Sequence, residues 1–349
     1  VAALDLLLPG ALAARTGGTI YDRRITKGLT ARGWSVTVHS LDPAFPLAPP
    51  AAIAAARTVV ESLPPGRLVV FDGLVLGPGT DGLVGAAAPL CPVALVHHPL
   101  ALEGGLDASV RRQLQDAERA AWARMRRLIV TSRWTAAALA EAGIDAERIR
   151  IVEPGTARAS LARGSRGGGL NLLCVASLTP RKGHAVLFDA LAGLTAHEWR
   201  LRCAGSTERD PRTAAALAAQ ADRLGLGGRI ELLGELSEAA LAREYDDADL
   251  FVLSSQLEGY GMAAAEALAH GLPVVATAAG ALRDTLPPAA RVLVPPGDRE
   301  ALAAALAELF TDRARLEQLA AAARLARDAL PSWGDASAAF AAALQDLAG

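Results

Sequence analysis

Short, almost unbroken apolar runs recur along the chain, and stretches with helical spacing separate them. In the first half the runs are AALDLLL (2–8), WSVTVHS (34–40), RLVVFDG (67–73), CPVALVHH (91–98), RRLIVTS (126–132) and a shorter RIRIVEP (148–154). In the second half they are NLLCVAS (171–177), RLRCAGS (200–206), RIELLGEL (229–236), DLFVLSS (249–255), Val274-Val275-Ala276 and RVLVPPGD (291–298). Runs of this length without alternation fit strands buried on both faces. Their regular exchange with helices predicts parallel sheets covered on both sides, an α/β architecture. The first strand, loop, helix (about Thr19 to Arg32) and second strand make one βαβ unit within 40 residues. Helices are expected at 107–125, 133–142, 211–224, 238–247, 299–309, 312–329 and 332–347, with Asp298 and Ser132 placed as N-caps.

The alternation is interrupted once, at ARASLARGSRGGG (157–169), where apolar periodicity stops and three glycines follow. This predicts two doubly wound, Rossmann-like domains: residues 1–160, a linker at 161–169, and residues 170–330. A terminal helix at 331–349 is set off by Pro331. With 349 residues, 52% of them apolar, the chain can supply two sizeable cores. The formal net charge of −2 excludes a general nucleic-acid binder. Three scattered cysteines without metal-ligand spacing read as buried thiols in a reducing compartment, and no leader is evident, which together imply a cytoplasmic protein. Residues 82–102 carry no Asp, Glu, Lys or Arg, but prolines, glycines and His97-His98 break them up, so they do not read as a membrane span. The Arg-rich helix 107–125 reads as a solvated face. Weak peripheral association with the inner membrane surface is the alternative.

The stretch most informative about function is LEGYGMAAAEALAHGLPVVAT (257–277). A glycine-rich turn, Glu258-Gly259-Tyr260-Gly261, leads into a short Ala-rich helix that Gly271 and Pro273 end. The N–H groups of Gly261, Met262, Ala263 and Ala264 are the expected unpaired donors at the helix start, a site suited to phosphate. Side chains lean back toward a helix's N-terminus, so Glu266 can reach a ribose beside phosphates held there. Glu258, in the turn, can approach a group on their far side. An ordinary βαβ unit with two solvated glutamates is the bland alternative. The segment resembles the Glu-x7-Glu signature of family-four retaining glycosyltransferases of the GT-B fold, with Glu258 and Glu266 on its two glutamates.

The resemblance extends over nearly the whole chain. Lys182-Gly183, at a strand-to-helix junction, match the family's Lys-Gly, and Lys182 is implied to grip the donor's phosphates. The Gly-Arg pair that usually precedes it is replaced by Ala176-Ser177, and Arg181 is the nearest substitute cation. Gly17-Gly18 match a glycine loop that lies near the donor diphosphate in the family. Residue by residue along the strand, the family's active-site histidine falls on His98 first and His97 second. A capping or hydrogen-bonded histidine is the plainer reading. Gly280 is kept from a Gly-Gly-x-x-Glu segment, with Ala281 and Asp284 as departures. Asp247-Ala248-Asp249 looks like a metal-binding Asp-x-Asp but falls where a helix enters a strand, away from the ligand face.

The resemblance implies two Rossmann-like domains facing a cleft. It implies transfer of a sugar from a UDP- or GDP-linked donor to an acceptor, with retention and without a metal or other cofactor. Lys182, Arg181 and the helix start at Gly261, Met262 and Ala263 would stabilise the leaving diphosphate. Glu258 would lie near the donor sugar, Gly259 and Tyr260 would contact the donor, Glu266 would hold the ribose, and His98 would lie near the reacting centre or the sugar's hydroxyls. A nucleotide-sugar epimerase or hydrolase on the same fold, and a non-catalytic nucleotide-sugar-binding protein, are the competing readings.

Overall fold

The computed structural model describes residues 2–165 and 167–347. The chain divides into two compact units, Val1–Gly155 with Pro331–Gly349, and Thr156–Leu330.

The first unit holds strands β1 (Ala3–Pro9), β2 (Ser35–Leu41), β3 (Leu68–Asp72), β4 (Cys91–Val96), β5 (Arg127–Val130) and β6 (Ile149–Ile151). The second holds β7 (Leu170–Val175), β8 (Trp199–Ala204), β9 (Ile230–Gly234), β10 (Leu250–Leu253), β11 (Val274–Thr277) and β12 (Arg291–Val294). Each set forms one six-stranded parallel sheet, in the orders β2-β1-β3-β4-β5-β6 and β12-β11-β10-β7-β8-β9. All residues of β3, β4, β5, β10 and β11 are buried, which is why these strands lack alternation in the sequence. The polar residues that end or directly follow them (Asp72, His97, Thr131, Ser254, Ser255, Thr277) line the carboxyl edges of the sheets.

Each sheet reverses its winding once. The reversal lies between β1 and β3 in the first unit and between β7 and β10 in the second. At such a point successive connections leave to opposite faces and open a crevice beyond the strand ends, the usual ligand position in open parallel sheets.

One local feature differs from the sequence expectation. The helix expected from Thr19 runs Gly17–Ala31, so Gly17 and Gly18 are its first residues rather than a preceding loop. The cause is Thr16, which forms a reciprocal capping box with Thr19 and starts the helix two residues early. The terminal helix Trp333–Leu344 packs on this same helix, with Gly28 at the contact: a Cβ there would lie 1.9 Å from Ser337 Oγ. The Trp333 ring stands 6.1 Å from Tyr21, edge to face, and the Arg24 guanidinium lies 5.9 Å from it. Arg127, buried at the start of β5, ties the helix's last turn down through Ala343 O and Asp346.

Gly28→Ala is expected to lower the melting temperature, since overfilling a tight helix contact costs about 1–3 kcal/mol. Calorimetry of this variant checks the close packing, and an unchanged transition would refute it.

Candidate active site

In the second unit, the loops that follow β7 and β10 meet at the winding reversal. After β7 the chain makes a short 3-10 turn, Pro180–Lys182, then Gly183 in left-handed geometry (φ 68°), then the helix His184–Ala192. No side chain fits at Gly183, because a Cβ would lie 2.0 Å from Ser254 O. Ser254 Oγ donates to Gly183 O at 2.9 Å, and Gln256 N donates to Arg181 O at 2.7 Å. The two loops are therefore fixed to each other by one main-chain bond and one serine hydroxyl.

That fixation brings Lys182 and Glu258 together. Lys182 Nζ lies 2.6 Å from Glu258 Oε1, and Ser255 Oγ donates to the same oxygen at 2.6 Å. Arg181 turns aside and donates to Leu257 O at 2.7 Å. Burial pushes the Glu258 carboxyl up, but the Lys182 and Arg181 charges outweigh it and hold it below its ordinary 4.5. The main chain of Glu258 is gripped as well: Ala281 N donates to its carbonyl at 2.9 Å, and a Cβ on Gly280 would lie 2.2 Å from that oxygen.

Gly261, at φ 95°, is the N-cap of the helix Met262–Ala269. Ala264 N–H bonds back to Gly261 O at 3.0 Å. The donors available at the start are thus one fewer than expected, with Met262 and Ala263 the first-turn residues. Glu266 is half-buried one turn on. Tyr245 Oη donates to its Oε2 at 3.1 Å and lies equally close to Ala263 O. The His270 ring stacks flat on Tyr245 at 4.8 Å.

In the first unit, a separate cluster occupies the reversal between β1 and β3. Asp72 ends β3, His97 follows β4, and Asp22 comes from the helix Gly17–Ala31. His97 Nε2 is 3.5 Å from Asp22 Oδ1 and 3.6 Å from Asp72 Oδ2. Tyr21 meets the imidazole edge to face at 5.4 Å, and its own hydroxyl donates to Val152 O at 3.0 Å. Burial disfavours the charged His97 ring, yet the two carboxylates prevail and its pKa is pushed up to about 10. Asp22 is raised to about 6, mainly by burial. A Cβ on Gly18 would sit 3.3 Å from His97 Nε2, so the absence of a side chain there leaves that nitrogen room.

His98 points elsewhere, with Nε2 3.0 Å from Glu103 Oε2. The sequence ranks His98 ahead of His97. It is His97 that the structure sets beside Gly18 and at the reversal of the sheet, because side chains at consecutive positions leave opposite sides of an extended chain.

Residues 162–326 match the family described as Glycosyl transferases group 1, and residues 32–155 match the Glycosyl transferase 4-like domain. Together the two matches cover most of the chain. Sucrose-phosphate synthase from Thermosynechococcus elongatus has the same fold: TM-score 0.83 over 99% of both chains, at 22% identity. The chain belongs to the group 1 glycosyltransferase family of GT-B fold.

Anabaena HepE, solved in complex with UDP and glucose, shares that fold as well, with a TM-score of 0.74 over 99% of this chain and 100% of that one, at 18% identity. Among relatives in sequence, the D-inositol 3-phosphate glycosyltransferase of Xylanimonas cellulosilytica is 34% identical over 57% of this chain and 51% of its own length. The MMP alpha-(1->4)-mannosyltransferase of Mycolicibacterium hassiacum is 28% identical over 72% and 64%. The chain thus spans between about half and somewhat under two thirds of the length of these two relatives.

Within this GT-B chain, the second unit gathers Arg181, Lys182, Glu258, Gly259, Tyr260, Gly261, Met262, Ala263 and Glu266 around the ends of β7 and β10. Gly17, Gly18, His97 and His98 belong to the first unit. Sequence reasoning passed over Asp22, Asp72 and Tyr245. Asp72 was open to the same strand-end rule that singled out the histidines. Asp22 lies three residues before Ile25 and seven before Leu29, on the helix's apolar stripe, and a carboxylate there is itself a signal. Tyr245 carried none, since its partner Glu266 is 21 residues away. Asp249, part of the rejected Asp-x-Asp, accepts from Ser165 N and Asn171 N at the entry to β10.

The Glu258 pairing has a definite pH signature. A carboxyl held below its ordinary value contributes stability that is fully present above about pH 4.5 and is lost as pH falls through the folded-state value. Lys182→Met removes its main cation, leaving a buried carboxylate. The variant is expected to lose on the order of 3 kcal/mol at neutral pH and to show a smaller loss on acidification. Urea midpoints for both proteins from pH 3 to 7 check this, and parallel pH curves would contradict it.

Proposed function

We propose that this chain transfers a sugar, with retention, from a UDP-linked donor to a hydroxyl-bearing acceptor, GDP donors being the second choice. The observation that carries the reading is the Lys182–Glu258 contact at the strand ends, one short turn from a helix start with Glu266 behind it. A lysine beside the first turn of a helix meets both charges of a leaving diphosphate, so the step itself requires no metal. Glu266, held by Tyr245, accepts from the ribose hydroxyls. Glu258 lies on the sugar side, and its ion pair with Lys182 is exchanged for phosphate when donor enters. Arg181, beside Lys182, adds positive potential in place of the arginine that Ser177 displaces. In the first unit, His97 rather than His98 is the histidine proposed to take part. UDP comes first because Anabaena HepE, of the same fold, is described with UDP and with UDP-glucose.

Glu266→Ala is expected to weaken UDP binding tenfold or more, about 1.4 kcal/mol or above, while folding normally, because Tyr245 keeps its bond to Ala263 O. Glu258→Ala is expected to leave UDP affinity nearly intact and to depress turnover of the whole donor. Calorimetric titration with UDP and donor, followed by rate measurements, separates the two. The opposite division would reverse the direction of the ligand. Full turnover of donor with no acceptor present would favour the hydrolase or epimerase reading instead.

A further inference from the structure

We propose that Glu118 is a positioning residue: from the helix Ala108–Arg124 its carboxylate caps the turn that follows His97-His98-Pro99, and it releases that turn on taking up a proton. The turn is the 3-10 helix Leu100–Leu102, just beyond the carboxyl end of β4. Both belong to the first unit.

The turn has no cap of its own. Its N-cap is Pro99, whose side chain offers no acceptor to the first N–H groups. Glu118, 18 positions after Leu100, supplies one to each of the first two. Leu100 N donates to its Oε1 at 2.7 Å, and Ala101 N donates to its Oε2 at 3.2 Å. Glu118 is only 2% exposed and shares the buried stripe of its helix with Leu114, Ala121 and Trp122. A glutamate is almost never found at such depth without partners. Leu100, Ala101 and Leu114 form a small apolar cluster, with Leu74, Leu106 and Val110 packed against it. An N–H group without an acceptor is costly in such surroundings. His97 therefore lies between two anchors. Its carbonyl accepts from the Thr131 and Thr135 hydroxyls at 3.0 and 3.3 Å, and Glu118 fixes the chain three residues on.

The two charge states of Glu118 hold the turn unequally. An ionised carboxylate accepts fully on both oxygens. A protonated one must place its own hydrogen, and one N–H group loses a strong acceptor. Burial pushes the Glu118 carboxyl up from 4.5 to about 7, against the two N–H bonds that favour its ionised form. The charges around it are engaged elsewhere or exposed. On the same helix Arg111 donates to Ala101 O at 2.9 Å, while Arg112, Asp116, Arg119 and Arg124 are exposed. Beside the turn, His98 faces Glu103 at 3.0 Å. Asp72, before the segment Gly73–Leu76, accepts from Leu74 N at 2.7 Å, and Asp81 on the helix Asp81–Ala86 is exposed. The turn is thus held most firmly above about pH 7 and loosens below it. What this does for transfer rests on the part given to His97 above; the hold itself does not.

The test is amide NMR of the full chain, with 13C-carbonyl proline and 15N leucine. Pro-Leu bonds occur at Leu47, Leu90 and Leu100, so three signals arise, and Leu47→Met and Leu90→Met assign them. Leu100 is expected to move upfield as pH falls, with a midpoint near 7. Leu47 N and Leu90 N bond to Ala44 O and Ala87 O and should stay in place. Glu118→Gln should abolish the titration, and His98→Gln should keep it. A Leu100 signal that does not titrate between pH 5.5 and 8.5 would overturn the proposal, as would a titration that survives in Glu118→Gln or disappears in His98→Gln. The wild-type curve decides the matter even if a variant fails to fold. Release of UDP from UDP-glucose over the same range tests the consequence. Its kcat is expected to fall severalfold from pH 8 to pH 6 with KM unchanged, and Glu118→Gln should lack this limb. If Leu100 titrates and turnover ignores it, the hold stands and the part given to His97 falls.

Discussion

Two hydrogen bonds to backbone carbonyls hold the geometry of the second unit: Gln256 N to Arg181 O, and Ser254 Oγ to Gly183 O. They tie together the loops leaving β7 and β10, strands adjacent in the sheet but about 75 residues apart in sequence. Lys182 and Glu258 meet because those loops are tied. The close approach requires left-handed or side-chain-free backbone at Gly183 and Gly280, where any Cβ would strike a carbonyl oxygen. The glycines in this region therefore set how near Lys182 can stand to the Glu258 carboxylate.

The same topological rule operates in the first unit with different chemistry. There the winding reverses between β1 and β3, and the crevice receives two carboxylates and an imidazole instead of a lysine and a glutamate. Below it the core is conventional, with Leu6, Leu8, Ile25 and Leu95 packed around Tyr21. Such a core is apolar enough to make unpaired charge expensive. That expense is what gives the Asp22 carboxylate its raised pKa.

Much of the architecture was legible in the sequence because buried parallel strands have a simple signature. Each of the twelve strands falls within or across a run read as apolar, since a strand covered on both faces can tolerate few polar positions. The helix ends were legible where a capping residue was present, as at Ser132 and Asp298. They were misplaced by two residues at Gly17, where the Thr16–Thr19 box decides the start and two glycines suggested a loop. The resemblance to family-four glycosyltransferases rested on Glu258, Glu266 and Lys182-Gly183. These are local spacings, and local spacings can be read without a structure.

The sequence by itself determined two parallel α/β sheets, the glycine-rich turn at 258–261, and the candidate donor residues, because periodicity and short-range motifs are properties of neighbouring positions. Only the tertiary structure decided which side chains meet. Lys182 pairs with Glu258, Tyr245 holds Glu266, and of two consecutive histidines it is His97 that joins Asp22 and Asp72. Each of these contacts joins residues between 21 and 76 positions apart. Such distances are closed by strand order and by the face from which each side chain leaves, and neither is written in any local stretch of the chain.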